Sequence, residues 1–236
     1  MNFLQDDPLV NPTEVQQPVT ETHIADRRSY LAEISALCRL DWPNNRTVNI
    51  VCHGHSVPSG YFMTPAVHIF ESYPHLMHAA LAVRFQHAVI NVIVTAIGGE
   101  HSEAGSKRFV DVLNHRPDVV TIDYGLNDRR IGLNRARKAW ISMITQSQAK
   151  GIKVLLLTPT PDLTAKLDSP TDPLIQHAEQ IRKLAKEYQV GLINSLGAFQ
   201  QFVKAGGQML SLMSVPNHPN QKGHQLVTKA LLEWFP

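Results

Sequence analysis

The sequence predicts an α/β fold: a three-layer α/β/α sandwich around a five-stranded parallel sheet. Two patterns carry that expectation. Five short runs, 47–53, 88–95, 118–124, 152–158 and 190–193, place Val, Ile or Leu at nearly every position, as strands buried on both faces do. Between them lie stretches whose apolar residues recur at helical spacing. Strands that alternate with helices pair in parallel through right-handed crossovers, so the helices cover both faces of the sheet. A chain of 236 residues suits one such domain and is long enough to bury a full core.

Taken in order, residues 1–21 hold Pro8, Pro12 and Pro18 among scattered polar residues with no period, and read as an extended arm. Residues 22–236 read as a single domain. Ile24, Tyr30, Leu31, Ile34, Leu37 and Leu40 recur at helical spacing over 23–40, and Asp41-Trp42-Pro43-Asn44-Asn45 ends them. Further helical patterns fill 65–86, 102–115, 131–149, 172–188 and 221–234. No internal repeat or low-complexity tract interrupts the alternation.

Composition narrows the function. With 22 basic and 20 acidic residues the net charge is +2, and no basic run exceeds pairs such as Arg27-Arg28 and Arg129-Arg130. A nucleic-acid partner or an anionic membrane surface is therefore not expected. No apolar stretch approaches the ~20 residues of a membrane span. The N-terminus lacks the basic and apolar regions of a signal peptide, so a cytoplasmic location is expected. Cys38 and Cys52 form neither a CxxC nor a disulfide framework. The arm and helix ahead of the first strand leave room for a homo-oligomer contact.

The chemistry gathers at strand ends, where open α/β sheets bind ligands. Ser56 lies in Cys52-His53-Gly54-His55-Ser56-Val57-Pro58-Ser59-Gly60, just after the first strand. Gly98-Gly99-Glu100-His101-Ser102 and Gly125-Leu126-Asn127-Asp128 each follow a later strand. His218 lies in Val215-Pro216-Asn217-His218-Pro219, ahead of the last helix, and Pro219 holds it extended in a loop. A nucleophile, hydrogen-bond donors and a base so placed are the parts of an acyl-transfer site. The general hydrolase elbow G-x-S-x-G does not fit, because Pro58 occupies the second glycine position.

Together these blocks resemble the SGNH (GDSL-like) hydrolase family over residues 48 to 224. The resemblance implies a flavodoxin-like sandwich and a serine esterase needing no cofactor or metal. It makes Ser56 the nucleophile, with His55 in place of the usual Asp of Gly-Asp-Ser. It makes Gly99 and Asn127, together with the Ser56 N–H, the oxyanion hole, and His218 the base. It also exposes a departure: Val215 stands where the family carries its triad Asp, and no Asp or Glu occurs between Glu187 and Glu233. The group orienting His218 would then be a backbone carbonyl, the Ser214 hydroxyl, Glu100 or Asp123. A Ser56–His218 dyad oriented by a carbonyl is the expected arrangement.

Other residues have two readings each. His55, Glu100 and Arg129 are candidates to line a substrate pocket, the alternatives being a structural role for His55 and local ion pairs for the other two. Tyr61 and Phe62 stack on a substrate or close the core. Twelve histidines invite a metal reading, yet His53 and His55 alternate in direction and His75 and His78 have no accompanying carboxylate motif. The expected function is hydrolysis of a small O-acyl ester, with an acetylated carbohydrate favoured by the polar motifs at the mouth. The alternative is a catalytically silent binding protein that keeps the fold.

Overall fold

The structure is a computed structural model and describes residues 23–236; the arm expected over 1–21 lies outside the described residues. Five strands, β1 (Val48–Gly54), β2 (Ile90–Val94), β3 (Val119–Asp123), β4 (Lys153–Leu157) and β5 (Gly191–Ile193), form one parallel sheet in the order β2-β1-β3-β4-β5. All five fall inside or within a residue of the runs read from sequence.

Period-two alternation divides the core between two layers. Ile50, Cys52, Val119, Leu155 and Leu157 face one layer, with Leu31, Met77, Leu81, Val227 and Leu231. Val51, Val120, Ile122, Val154 and Leu156 face the other, with Phe109, Trp140, Met143, Ile181 and Leu184. The first layer is built by α1 (Ala32–Cys38), α2 (Tyr73–Arg84), α8 (Ser195–Lys204) and α9 (Gln221–Leu232). The second is built by α4 (Phe109–Asn114), α6 (Leu133–Gln148) and α7 (Pro173–Glu187). Full burial of each large apolar side chain contributes roughly 1.5–3 kcal/mol, so both faces are strongly specified.

Four local expectations need correcting. The pattern at 65–86 is not one helix: residues Ala66–Val67 pair with Tyr61–Met63 as a hairpin, a short 3-10 turn follows, and α2 begins at Tyr73 with Pro74 in its first turn. The pattern at 102–115 breaks at Arg108 into α3 (Ser102–Lys107) and α4. The helix α8 has no counterpart in the sequence reading, although Asn194 caps it and Leu196 and Phe199 recur at helical spacing. His218 is not in a free loop. It forms a hairpin bridge in which Val215 pairs with His218 and Met213 with Pro219.

The order of strands fixes where a ligand goes. The connection from β1 runs to β2 on one side and that from β3 runs to β4 on the other, which opens a crevice beyond the carboxyl ends of β1 and β3. The four-residue helix α5 (Gly125–Asp128) follows β3 into that crevice.

Candidate active site

At the end of β1 the chain must turn within a few residues. Gly54 allows it: a Cβ there would meet the Asp123 carbonyl oxygen at 2.5 Å and Pro58 Cγ at 2.8 Å. Hydrogen bonds from Ser59 N–H to the His55 carbonyl, Gly60 N–H to the Val57 carbonyl and Tyr61 N–H to the Ser56 carbonyl then close the turn. Gly60 completes it at φ +84, a conformation that glycine adopts freely. Ser56 sits in this turn, 9% exposed, with its hydroxyl directed outward from the sheet edge to His218.

Ser56 Oγ and His218 Nε2 are 2.8 Å apart, although 162 positions separate the residues. His218 is held from three sides. Its backbone belongs to the hairpin, the Leu163 N–H donates to the Pro216 carbonyl at 2.8 Å, and the Tyr61 ring stacks on the imidazole at 6.5 Å and 29°. Burial, with the neighbouring His55, holds the His218 pKa below its ordinary value of 6.5.

None of the four groups expected to orient His218 does so. Its Nδ1 is buried and has no hydrogen-bond partner among the described residues. The Ser214 hydroxyl donates to the carbonyls of Phe62 (2.6 Å) and His218 (3.1 Å). Glu100 is ion-paired with Arg108 and accepts from the Tyr124 hydroxyl at 2.8 Å. Asp123 faces His55 and accepts from the Tyr73 hydroxyl at 3.2 Å. No carbonyl accepts from Nδ1 among the described residues either, so packing and the hairpin set the ring.

The oxyanion candidates come to the same rim. Ile97 N–H donates to the Gly54 carbonyl at 3.0 Å, which ties the loop after β2 to the strand end that carries Ser56. Gly99 follows two residues on, at φ +76 with open space where a Cβ would stand. Neither Ser56 nor Gly99 gives its N–H to a backbone carbonyl among the described residues. Asn127, in α5, donates one amide hydrogen to the Glu100 carbonyl at 2.8 Å, which fixes the side chain and leaves its second hydrogen free to aim elsewhere.

The pocket candidates divide otherwise. His55 is fully buried and offers no surface to a ligand. Glu100 is engaged as above, and Arg129 is ion-paired with Asp162. Phe62 is buried and stacks between His68 at 4.6 Å and His224 at 5.3 Å, closing the core. Tyr61 is half-buried and lines the site, with its ring edge against Gly98 and its face toward His218.

Sequence reasoning missed the polar chain beneath the rim. Arg108, Glu100, Tyr124, His53 and Thr95 connect in series, through Tyr124 Oη to His53 Nε2 at 3.1 Å and His53 Nδ1 to Thr95 Oγ1 at 2.9 Å. Only the alternation of His53 with His55 hinted at it. Asp128 is likewise structural: its two oxygens accept from Ser102 N–H and Trp140 Nε1–H, both at 2.7 Å. His224 packs and caps, accepting from the Tyr73 N–H at the start of α2. Among the described residues, no cluster of three His, Cys, Asp or Glu is arranged for a metal, and no helix is long and apolar enough to cross a membrane.

Comparison with known proteins bears on the family and the fold. No protein of curated function matches the chain in sequence. Among solved structures, an acetylxylan esterase from Geobacillus stearothermophilus is similar, with 18% identity over 80% of this chain and 94% of that one and a TM-score of 0.70. A two-domain esterase active on acetylated mannans is similar over 91% of this chain and 55% of that one, with 19% identity and a TM-score of 0.71. Catalytic mutants of the Geobacillus enzyme replace a serine, an aspartate and a histidine, the last two separated by three positions. The GDSL-like lipase/acylhydrolase family profile matches residues 52–226, most of the chain. The chain belongs to that family, as an ester hydrolase of the SGNH fold.

Proposed function

We propose that this enzyme hydrolyses small O-acyl esters through an acyl-enzyme on Ser56, and that its substrates are acetylated carbohydrates. The observation that carries the mechanism is the 2.8 Å contact between Ser56 Oγ and His218 Nε2. That is the distance for proton transfer from a nucleophile to its base.

Ser56 Oγ attacks the ester carbonyl while its proton passes to His218 Nε2. The oxygen that gains charge is received by the N–H groups of Ser56 and Gly99 and the free amide hydrogen of Asn127. Each such donor is worth about 3–4 kcal/mol in the transition state. His218 then gives its proton to the leaving alcohol oxygen, and the acyl-enzyme forms. Water attacks that ester with His218 again as base, releasing the acid and restoring Ser56. A His that starts neutral can accept the proton, and burial, which lowers the pKa of His218, favours that neutral form.

Two features support a carbohydrate substrate. The motifs at the rim are polar, and the half-buried aromatic ring of Tyr61 lies beside His218, where it can contact a bound sugar. The similar solved enzymes act on acetylated xylan and mannans. The test is acetate release from acetylated xylo- and manno-oligosaccharides, set against a p-nitrophenyl octanoate control. Preferential turnover of the acetylated sugars supports the assignment, and preference for the long acyl chain overturns the substrate class.

One observation favours a second reading. His218 Nδ1, without a partner among the described residues, lacks the tautomer control that a triad acid supplies, as in a site that binds without turning over. Acetylated oligosaccharide bound tightly with no acetate released would establish that reading.

A further inference from the structure

His55 stands directly before the proposed nucleophile, in the position where the family motif has an Asp. It is fully buried, and its neighbours determine its tautomer. Nδ1 accepts from the Val57 N–H at 3.2 Å, so Nδ1 carries no proton and the ring proton sits on Nε2. Nε2 faces Asp123 Oδ1 at 3.5 Å, an ion-pair distance rather than a hydrogen bond, and neither atom has a hydrogen-bond partner among the described residues. The other Asp123 oxygen accepts from the buried Tyr73 hydroxyl at 3.2 Å. Asp123 is the last residue of β3 and pairs with Gly54, so its backbone is fixed beside the turn.

We infer that Asp123 is a positioning residue for the nucleophile turn, acting through His55, and that its carboxylate is the counterpart required by a His rather than an Asp at position 55. The inference rests on Ser56 being the nucleophile. Asp123 fixes the Nε2–H tautomer of His55, which leaves Nδ1 to accept from Val57. That bond holds the peptide after Ser56, and with it both the Ser56 hydroxyl and the Ser56 N–H that faces the oxyanion. An acid thus supports this site from beneath the nucleophile, where the usual acid behind the base is replaced by Val215.

This pairing constrains substitutions in an unusual way. His55→Asp alone restores the family residue but sets two carboxylates against each other in a buried space. Asp123→Asn alone offers an amide with one acceptor to two donors, the His55 Nε2–H and the Tyr73 hydroxyl. Together the changes are complementary. The amide introduced at position 123 accepts from Tyr73 through its carbonyl oxygen and donates to the carboxylate introduced at position 55. That carboxylate in turn accepts from the Val57 N–H.

The test is this double-mutant cycle in the full chain, read as kcat and KM on an acetyl ester, with thermal melting of each variant. His55→Asp is expected to lower kcat about tenfold or more with KM nearly unchanged, Asp123→Asn to lower it less, and the double variant to return to within about threefold of wild type. Nitrogen NMR of the histidines is expected to show the Nε2–H form of His55 in wild type and a tautomer mixture in Asp123→Asn. Additive losses in a double variant that melts like wild type overturn the inference. If His55→Asp fails to fold, recovery of both fold and rate in the double variant supports it, and failure of the double to recover overturns it. Ser56→Ala separates the two levels: activity surviving that change overturns the nucleophile assignment, whereas its loss beside an additive cycle overturns the role of Asp123 alone.

Discussion

Val215 pairs with His218 across the hairpin and supplies no acceptor to Nδ1, which has none among the described residues, so the orientation of the proposed base comes from packing. Val215→Asp is expected to supply the missing acceptor and raise kcat by about tenfold or more, a fraction of what a triad acid contributes elsewhere. The sign of the accompanying pH effect is fixed. In wild type the acid limb of kcat/KM lies below pH 6.5, because burial and His55 disfavour imidazolium at residue 218. A carboxylate beside the ring favours imidazolium, so the limb moves to higher pH in the variant. Unchanged kcat and an unmoved limb would show that packing alone is sufficient. At this scale the sequence was readable wherever a residue type has few uses: Ser56 and His218 meet as expected, and the lack of an acid was visible in the absence of Asp and Glu between Glu187 and Glu233. The orienting carbonyl was not borne out, because which backbone groups reach a ring depends on a two-residue bridge that leaves no periodic signal.

Each strand end hands its functional residue to a short, individually fastened element. The loop after β2 is tied to β1 through Ile97, α5 is tied to that loop through Asn127, and α3 is tied to α5 and α6 through Asp128. Asp128→Ala strips the acceptor from two buried donors, Ser102 N–H and Trp140 Nε1–H. It is expected to destabilise the fold by about 2–5 kcal/mol, read from denaturant unfolding. A change under about 1 kcal/mol would mean that α3 and α6 are held by apolar packing alone. Elements were legible in proportion to their length. The five strands and the long helices α6, α7 and α9 carry enough apolar repeats to be read, whereas the hairpins at 61–67 and 213–219 offer two or three residues per strand. The helix α8 was readable from its cap and apolar spacing, but it follows β5 so closely that the strand's signal ran into it.

For the whole molecule, the sandwich buries polar groups that must stay neutral. His53, His177 and His224 are held at about 4, about 4 and about 3 by burial, below the 6.5 of an exposed imidazole. Between those values the unfolded chain binds more protons than the folded one, so stability is complete above pH 6.5 and falls as pH drops toward 4 and below. Each residue accounts for a loss on the order of 3 kcal/mol across that window. Thermal melts are expected to fall steeply from pH 6.5 to 4, and a flat profile would show that these imidazoles reach solvent. The global architecture was the most legible level, because alternating buried strands and amphipathic helices permit few topologies. All of the proposed chemistry depends on an activated serine at the β1 end, and fluorophosphonate labelling followed by peptide mapping tests it most directly. Modification is expected at Ser56 in the wild-type protein, with its loss in folded His218→Ala. Equal labelling in both proteins, or none at Ser56 in the wild type, would contradict it.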